Sequence, residues 1–106
     1  ILDAKARILD IGEKNGQINL RALLKKLAAV GITSVFAEGG GTLIGSLFDE
    51  RLVDKVFFFI SPKIIGGKDA LGSVMGRGVK KVDKAVRLKN VELKRIGEDF
   101  LVEGYV

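Results

Sequence analysis

Ten residues constrain this chain more than any others: Ala37-Glu38-Gly39-Gly40-Gly41-Thr42-Leu43-Ile44-Gly45-Ser46. An apolar, β-branched run containing Ile32, Val35 and Phe36 leads into a carboxylate. Three glycines follow, and then a helix-like run over residues 42–50. That order predicts a strand ending in a glycine turn that opens a helix. Glycine lets the backbone turn with positive φ and lets a ligand come close. A helix N-terminus offers free N–H groups and the positive end of the helix dipole, which suits phosphate. The reading places a phosphate-bearing ligand at residues 39–46, with Glu38 at the mouth of the site. Spacing by itself leaves a second reading open, a tight strand-to-helix turn that binds nothing. The glycines at 39, 41 and 45 miss the G-x-G-x-x-G pattern because Ile44 stands where the last glycine would fall, and no G-x-x-x-x-G-K-[ST] occurs.

Composition narrows the chemistry. The chain has 106 residues, the size of one small domain. It contains neither cysteine nor histidine, which excludes disulfides, thiolate and imidazole metal ligands, and His-based triads. No EF-hand spacing is present, and no metal is expected. The net charge of +5 is uneven: residues 63–95 hold ten Lys or Arg against Asp69, Asp83 and Glu92. A basic half of this kind suits a phosphorylated ligand or nucleic acid, although a solvated lysine-rich face accounts for most such runs. Aromatic residues do not interleave with these charges, so nucleic acid is not an expected partner. The longest apolar run, residues 56–60, is far too short to span a bilayer. The opening residues lack the basic-then-apolar order of a signal peptide. A cytoplasmic location without membrane contact is the expectation. The chain also lacks an initiator Met, which reads as part of a longer protein.

Along the chain, residues 6–11 read as a strand, and Asn15-Gly16 as a turn. Asn19 suits a helix N-cap. Leu20, Leu23, Leu24, Leu27 and Val30 follow at helical spacing as core positions, and Gly31 stands where a helix-terminating glycine belongs. Residues 32–38 form the next strand, completing a β-α-β unit whose right-handed crossover makes the strands parallel. The second helix turns Leu43 and Leu47 inward, while Gly45 and Ser46 are small enough to admit another backbone or a ligand. Residues 55–60 read as a strand covered on both faces. Residues 68–83 read as a loop with room for one helical turn. The broken alternation of Val86, Leu88, Val91, Leu93 and Ile96 predicts a bulged strand, paired across Gly97-Glu98-Asp99 with a last strand over residues 100–106. The result is an α/β sheet, mostly parallel, with flanking helices and an antiparallel C-terminal hairpin. Two helices underfill such a sheet, which points to a homodimer or to further chain. Lys63 reads equally as a surface or a ligand-facing lysine. Asp54 reads as a loop cap, and Phe57, Phe58 and Phe59 as core or subunit interface.

Gly31-Ile32-Thr33-Ser34-Val35-Phe36-Ala37-Glu38-Gly39-Gly40-Gly41-Thr42-Leu43 resembles the signature of the reductase domain of riboflavin biosynthesis proteins. Leu52-Val53-Asp54, Phe59-Ile60-Ser61-Pro62-Lys63-Ile64-Ile65-Gly66 and Gly97-Glu98-Asp99-Phe100 continue the resemblance in order, so that it covers nearly the whole chain. The resemblance implies the C-terminal portion of a dihydrofolate-reductase-like fold. On this basis residues 1–106 are a single domain, the C-terminal part of a reductase domain whose N-terminal part is absent. It implies reduction of 5-amino-6-(5-phosphoribosylamino)uracil to the ribitylamino compound, with NADPH as cofactor. The family pattern assigns substrate contact to Glu38 and the NADPH phosphates to Gly40, Gly41, Thr42, Leu43, Ile44, Gly45 and Ser46. It assigns no proton donor. With about half of the family's domain length in hand, the isolated chain is expected to lack full activity. A reductase of another pterin or pyrimidine, and a non-catalytic dimerisation module, are the competing readings.

Overall fold

The computed structural model describes residues 6–106; the signal-peptide reading of the first five residues lies outside them. The chain divides into two compact units, one ending at Ala37 and the other comprising Glu38–Val106.

In the first unit, β1 (Glu13–Lys14) and β2 (Gln17–Ile18) pair antiparallel. Asn15 and Gly16 join them with φ of 54° and 76°, the paired left-handed residues of a type I′ turn. Helix α1 (Leu20–Ala29) starts at Asn19, whose side-chain Oδ1 accepts the Ala22 N–H at 3.0 Å. It ends in a Schellman motif: the Gly31 N–H donates to Ala28 O and the Ile32 N–H to Leu27 O, each at 3.0 Å. Lys26 Nζ donates to the Asp10 carbonyl at 2.8 Å. The leucines expected as core are only half-buried, and no residue of α1 is fully buried.

The second unit opens with α2 (Gly41–Asp49) and continues into a three-stranded sheet in the order β3 (Lys55–Ile60), β5 (Asp99–Tyr105), β4 (Lys89–Ile96). A single 3₁₀ turn, Val82–Lys84, lies in the long connection before β4. Both strand pairings are antiparallel. The expectation of a mostly parallel sheet is therefore corrected: the described sheets are antiparallel, and residues 6–11 and 32–38 belong to neither of them. Alternating apolar residues create the capacity for a strand, but a ladder exists only where a neighbour supplies the hydrogen bonds.

The C-terminal hairpin follows its sequence signals. Ile96 pairs with Asp99 across a two-residue turn, and the register slips between Lys89 and Glu92. There Asn90, at φ 50°, and Val91 share the place of one residue, which is the bulge that the broken alternation requires. Val56 and Leu101, each 7% exposed, are the buried large apolar side chains among the described residues. Strand alternation puts them on opposite faces of the sheet. Phe59 is 63% exposed, so the expectation of a β3 covered on both faces is also corrected. Beside it an ionic row crosses the sheet: Lys94 Nζ lies 3.0 Å from Glu103 and 3.1 Å from Glu92, and Lys55 Nζ 3.9 Å from Glu103. The hydrogen bond from Lys94 holds the Glu103 carboxyl below its ordinary range, and the same bond raises the Lys94 ammonium.

Helix α2 also closes with a Schellman motif, since Arg51 N–H donates to Phe48 O at 3.0 Å and Leu52 N–H to Leu47 O at 2.9 Å. Here the left-handed residue is Arg51, at φ 56°, where glycine is usual. Arg51→Gly is therefore expected to raise stability by about 1 kcal/mol, read as an increase in the urea midpoint.

Candidate functional site

Glu38, Gly39 and Gly40 are exposed and lead directly into α2. Gly40 is the N-cap, with φ 49° and ψ 136°, and it provides no side-chain cap. That pairing of angles lies outside the regions open to residues with a Cβ. The first helical bond runs from Ile44 N–H to Gly40 O at 3.1 Å. The N–H groups of Gly41, Thr42 and Leu43 thus precede the helical ladder and have no acceptor within it. The first turn carries no acidic residue, so no side-chain charge of its own offsets the positive end of the dipole. Thr42 and Leu43 are exposed, and Ile44 and Ser46 half-buried. The Ser46 hydroxyl donates back to the Thr42 carbonyl at 3.0 Å, which leaves its oxygen lone pairs as acceptors. Glu38 lies three residues before the helix, within about 11 Å of Gly41 along the chain.

One side of α2 is already taken. Gly41, Gly45 and Asp49 recur every four residues and so form a single stripe, and residues 72–78 run over it. The Met75 N–H donates to Gly41 O at 3.0 Å. A Cβ on Gly41 would overlap Gly72 O, and one on Gly45 would overlap the Met75 carbonyl. Gly45 is accordingly buried. At the end of the stripe the Asp49 carboxylate accepts the Arg77 N–H at 2.7 Å and the Gly78 N–H at 3.1 Å. Arg77 Nε stands 3.7 Å from the same carboxylate. The Arg77 backbone bond, the largest effect, holds the Asp49 carboxyl below its ordinary range.

Of the residues singled out in the sequence, 38–46 form one continuous turn and helix start. Of the two approaches that the small residues allowed, a second backbone is what comes near Gly45. Lys63 is exposed, and its N–H donates to Ser61 O at 2.8 Å. Asp54 uses its carbonyl, which accepts the Val106 N–H at 3.0 Å. Sequence reasoning missed Asp49, Met75, Arg77 and Gly78. The four-residue spacing of Gly41, Gly45 and Asp49, set against glycines at 72, 76 and 78, was the available signal. A shallow apolar depression lined by Phe48, Arg51, Val53, Val86 and Val106 lies at the other end of α2. Among the described residues no cluster of three acidic side chains could hold a metal ion, and no helix is long and apolar enough to cross a membrane.

The model of the RibD C-terminal domain matches residues 2–102, a span that contains the whole turn and α2. The chain belongs to the RibD C-terminal domain family. Within this family it is 39% identical over 105 residues to the 2,5-diamino-6-ribosylamino-4(3H)-pyrimidinone 5′-phosphate reductase of Methanothermobacter thermautotrophicus, a match over 96% of this chain and 46% of the relative. It is 38% identical over 93 residues to the riboflavin biosynthesis protein RibD of Actinobacillus pleuropneumoniae, covering 88% of this chain and 25% of the relative. The RibD of Escherichia coli strain K12 is 36% identical over 93 residues, with the same coverage. This RibD C-terminal domain chain thus spans less than half the length of these curated relatives.

Proposed function

We propose that the chain is the cofactor-holding part of a reductase in riboflavin biosynthesis that reduces a phosphorylated ribosylaminopyrimidine with NADPH. The observation that carries this reading is the uncapped, acid-free start of α2 behind Gly40, within a span that matches a relative named as a ribosylamino-pyrimidinone phosphate reductase. Three N–H groups ahead of the ladder, in an exposed turn, fit a pyrophosphate.

In this reading the N–H groups of Gly41, Thr42 and Leu43 bind phosphate oxygens, and the Thr42 hydroxyl adds a donor. Gly40 sets the turn, Ile44 and Ser46 shape the wall, and Gly45 admits the loop behind it. Bound there, NADPH would supply the hydride that, with one proton, converts the ribosylamino substrate to its ribitylamino product. The protein contributes orientation and charge. Glu38, anionic and next to the cradle, would repel phosphate and suits a substrate hydroxyl or amine instead. Both 5-amino-6-(5-phosphoribosylamino)uracil and its 2-amino pyrimidinone counterpart present such groups. The resemblance to a dihydrofolate-reductase-like fold supports the same layout.

Glu38→Gln tests the division of labour. It is expected to raise the KM for the pyrimidine about tenfold, the loss of one charge-assisted hydrogen bond, with NADPH binding unchanged. An altered NADPH affinity with an unaltered pyrimidine KM would reverse the assignment. Phe57 and Phe59, both exposed and on one face of β3, further support a homodimer, for which sedimentation at twice the chain mass is the expected result.

A further inference from the structure

The stripe Gly41, Gly45, Asp49 does two things at once. Its first residue belongs to the turn to which the phosphates are assigned, and its last grips a loop that touches that first residue. We propose that Asp49 is a positioning residue for the cofactor: by holding residues 72–78 against α2, it fixes Gly72 and Met75 beside Gly41 as the wall of the phosphate-binding turn. This inference rests on the proposed reductase reading.

The loop has no strand or helix of its own between residues 72 and 78, so its course depends on what it is tied to. Three ties stand out. Met75 N–H donates to Gly41 O at the N-terminal end of the stripe. In the middle, the backbone of Met75 and Gly76 lies on Gly45, too close for any side chain. At the far end, both carboxylate oxygens of Asp49 are used, Oδ2 by Arg77 N–H and Oδ1 by Gly78 N–H. Gly76 itself passes so near that a Cβ on it would stand 2.7 Å from Asp49 Oδ2. Two N–H bonds to a single ionised carboxylate are charge-assisted and geometrically restrictive. Among the described residues, Asp49 is therefore the one side chain of α2 that hydrogen-bonds this loop, and the other two ties are backbone contacts. The nine residues Gly41–Asp49 put the two ends eight steps, about 12 Å, apart along the helix, so Asp49 acts at a distance through the loop and does not reach the phosphates.

The test is steady-state kinetics on the full-length enzyme. Asp49→Ala removes both acceptors, Asp49→Asn keeps one, and Val56→Ala truncates a buried side chain of β3 without touching the clamp. Asp49→Ala is expected to raise the KM for NADPH about tenfold and Asp49→Asn about threefold, with kcat at saturating NADPH and the KM for the pyrimidine within about twofold of wild type. Val56→Ala is expected to lower Tm while leaving the NADPH KM in place. Three outcomes would overturn the proposal. These are an NADPH KM unchanged in the Asp49 variants, equal rises in both KM values, and an equal rise in NADPH KM from Val56→Ala. If Asp49→Ala does not fold, the graded response rests on Asp49→Asn. A wild-type enzyme that fails to use NADPH defeats the reductase reading itself. A normal wild-type enzyme with insensitive Asp49 variants defeats only the clamp.

Discussion

Replacing Gly45 with valine is expected to destabilise the 38–106 unit by about 3 kcal/mol, the upper range for forcing a side chain into a filled site. Helix propensity alone predicts the opposite sign, because valine is better than glycine in a helix interior by roughly 0.5 kcal/mol. The close approach decides. A Cβ on Gly45 would meet the Met75 carbonyl and the Gly76 nitrogen, which are backbone atoms and cannot rotate away. Either α2 or residues 72–78 must move, and with them the hydrogen bonds to Gly41 and Asp49. Urea denaturation followed by circular dichroism reads the loss. An unchanged or raised midpoint would mean that the loop does not lie on this stripe.

The second large effect is expected at Gly40. Nothing lies within 4 Å of a Cβ placed there, so Gly40→Val meets no steric obstacle from neighbours. The penalty is torsional: φ 49° with ψ 136° is a glycine conformation, and a β-branched residue held there costs about 1–3 kcal/mol. The turn escapes that strain by rearranging, which re-aims the N–H groups of Gly41, Thr42 and Leu43. NADPH affinity is accordingly expected to fall at least about tenfold, equivalent to about 1.4 kcal/mol, as read by titrating cofactor fluorescence. The two glycine substitutions separate two roles: Gly45 serves packing, and Gly40 serves the shape of the turn.

These contrasts also explain what was legible in the sequence. Features set by a few adjacent residues could be read directly. Asn15-Gly16 makes its turn, Asn19 caps α1, Gly31 ends it, and the slipped alternation around Val91 becomes the bulge opposite β5. The start of α2 was equally plain, since glycines before an apolar helical run have few other uses. Pairing partners were not legible. Residues 6–11 and 32–38 carry apolar, β-branched patterns, yet such a pattern does not name a neighbour, and the sheets that form are antiparallel. The clamp was hidden for a related reason. Asp49 and Arg77 are 28 residues apart, and residues 68–83 have no periodicity from which their course could be inferred. Arg51 is the local exception: a left-handed helix end occupied by a residue that does not announce it.

The most direct test of the account is NADPH consumption by the full-length enzyme with 5-amino-6-(5-phosphoribosylamino)uracil and, separately, its 2-amino pyrimidinone counterpart, compared between wild type and Gly40→Val. The account predicts one NADPH oxidised per ribitylamino product formed with at least one of the two pyrimidines, and an NADPH KM raised at least about tenfold in Gly40→Val. Absence of pyrimidine-dependent NADPH oxidation in the wild type, or a Gly40→Val enzyme with an unaltered NADPH KM, would contradict it.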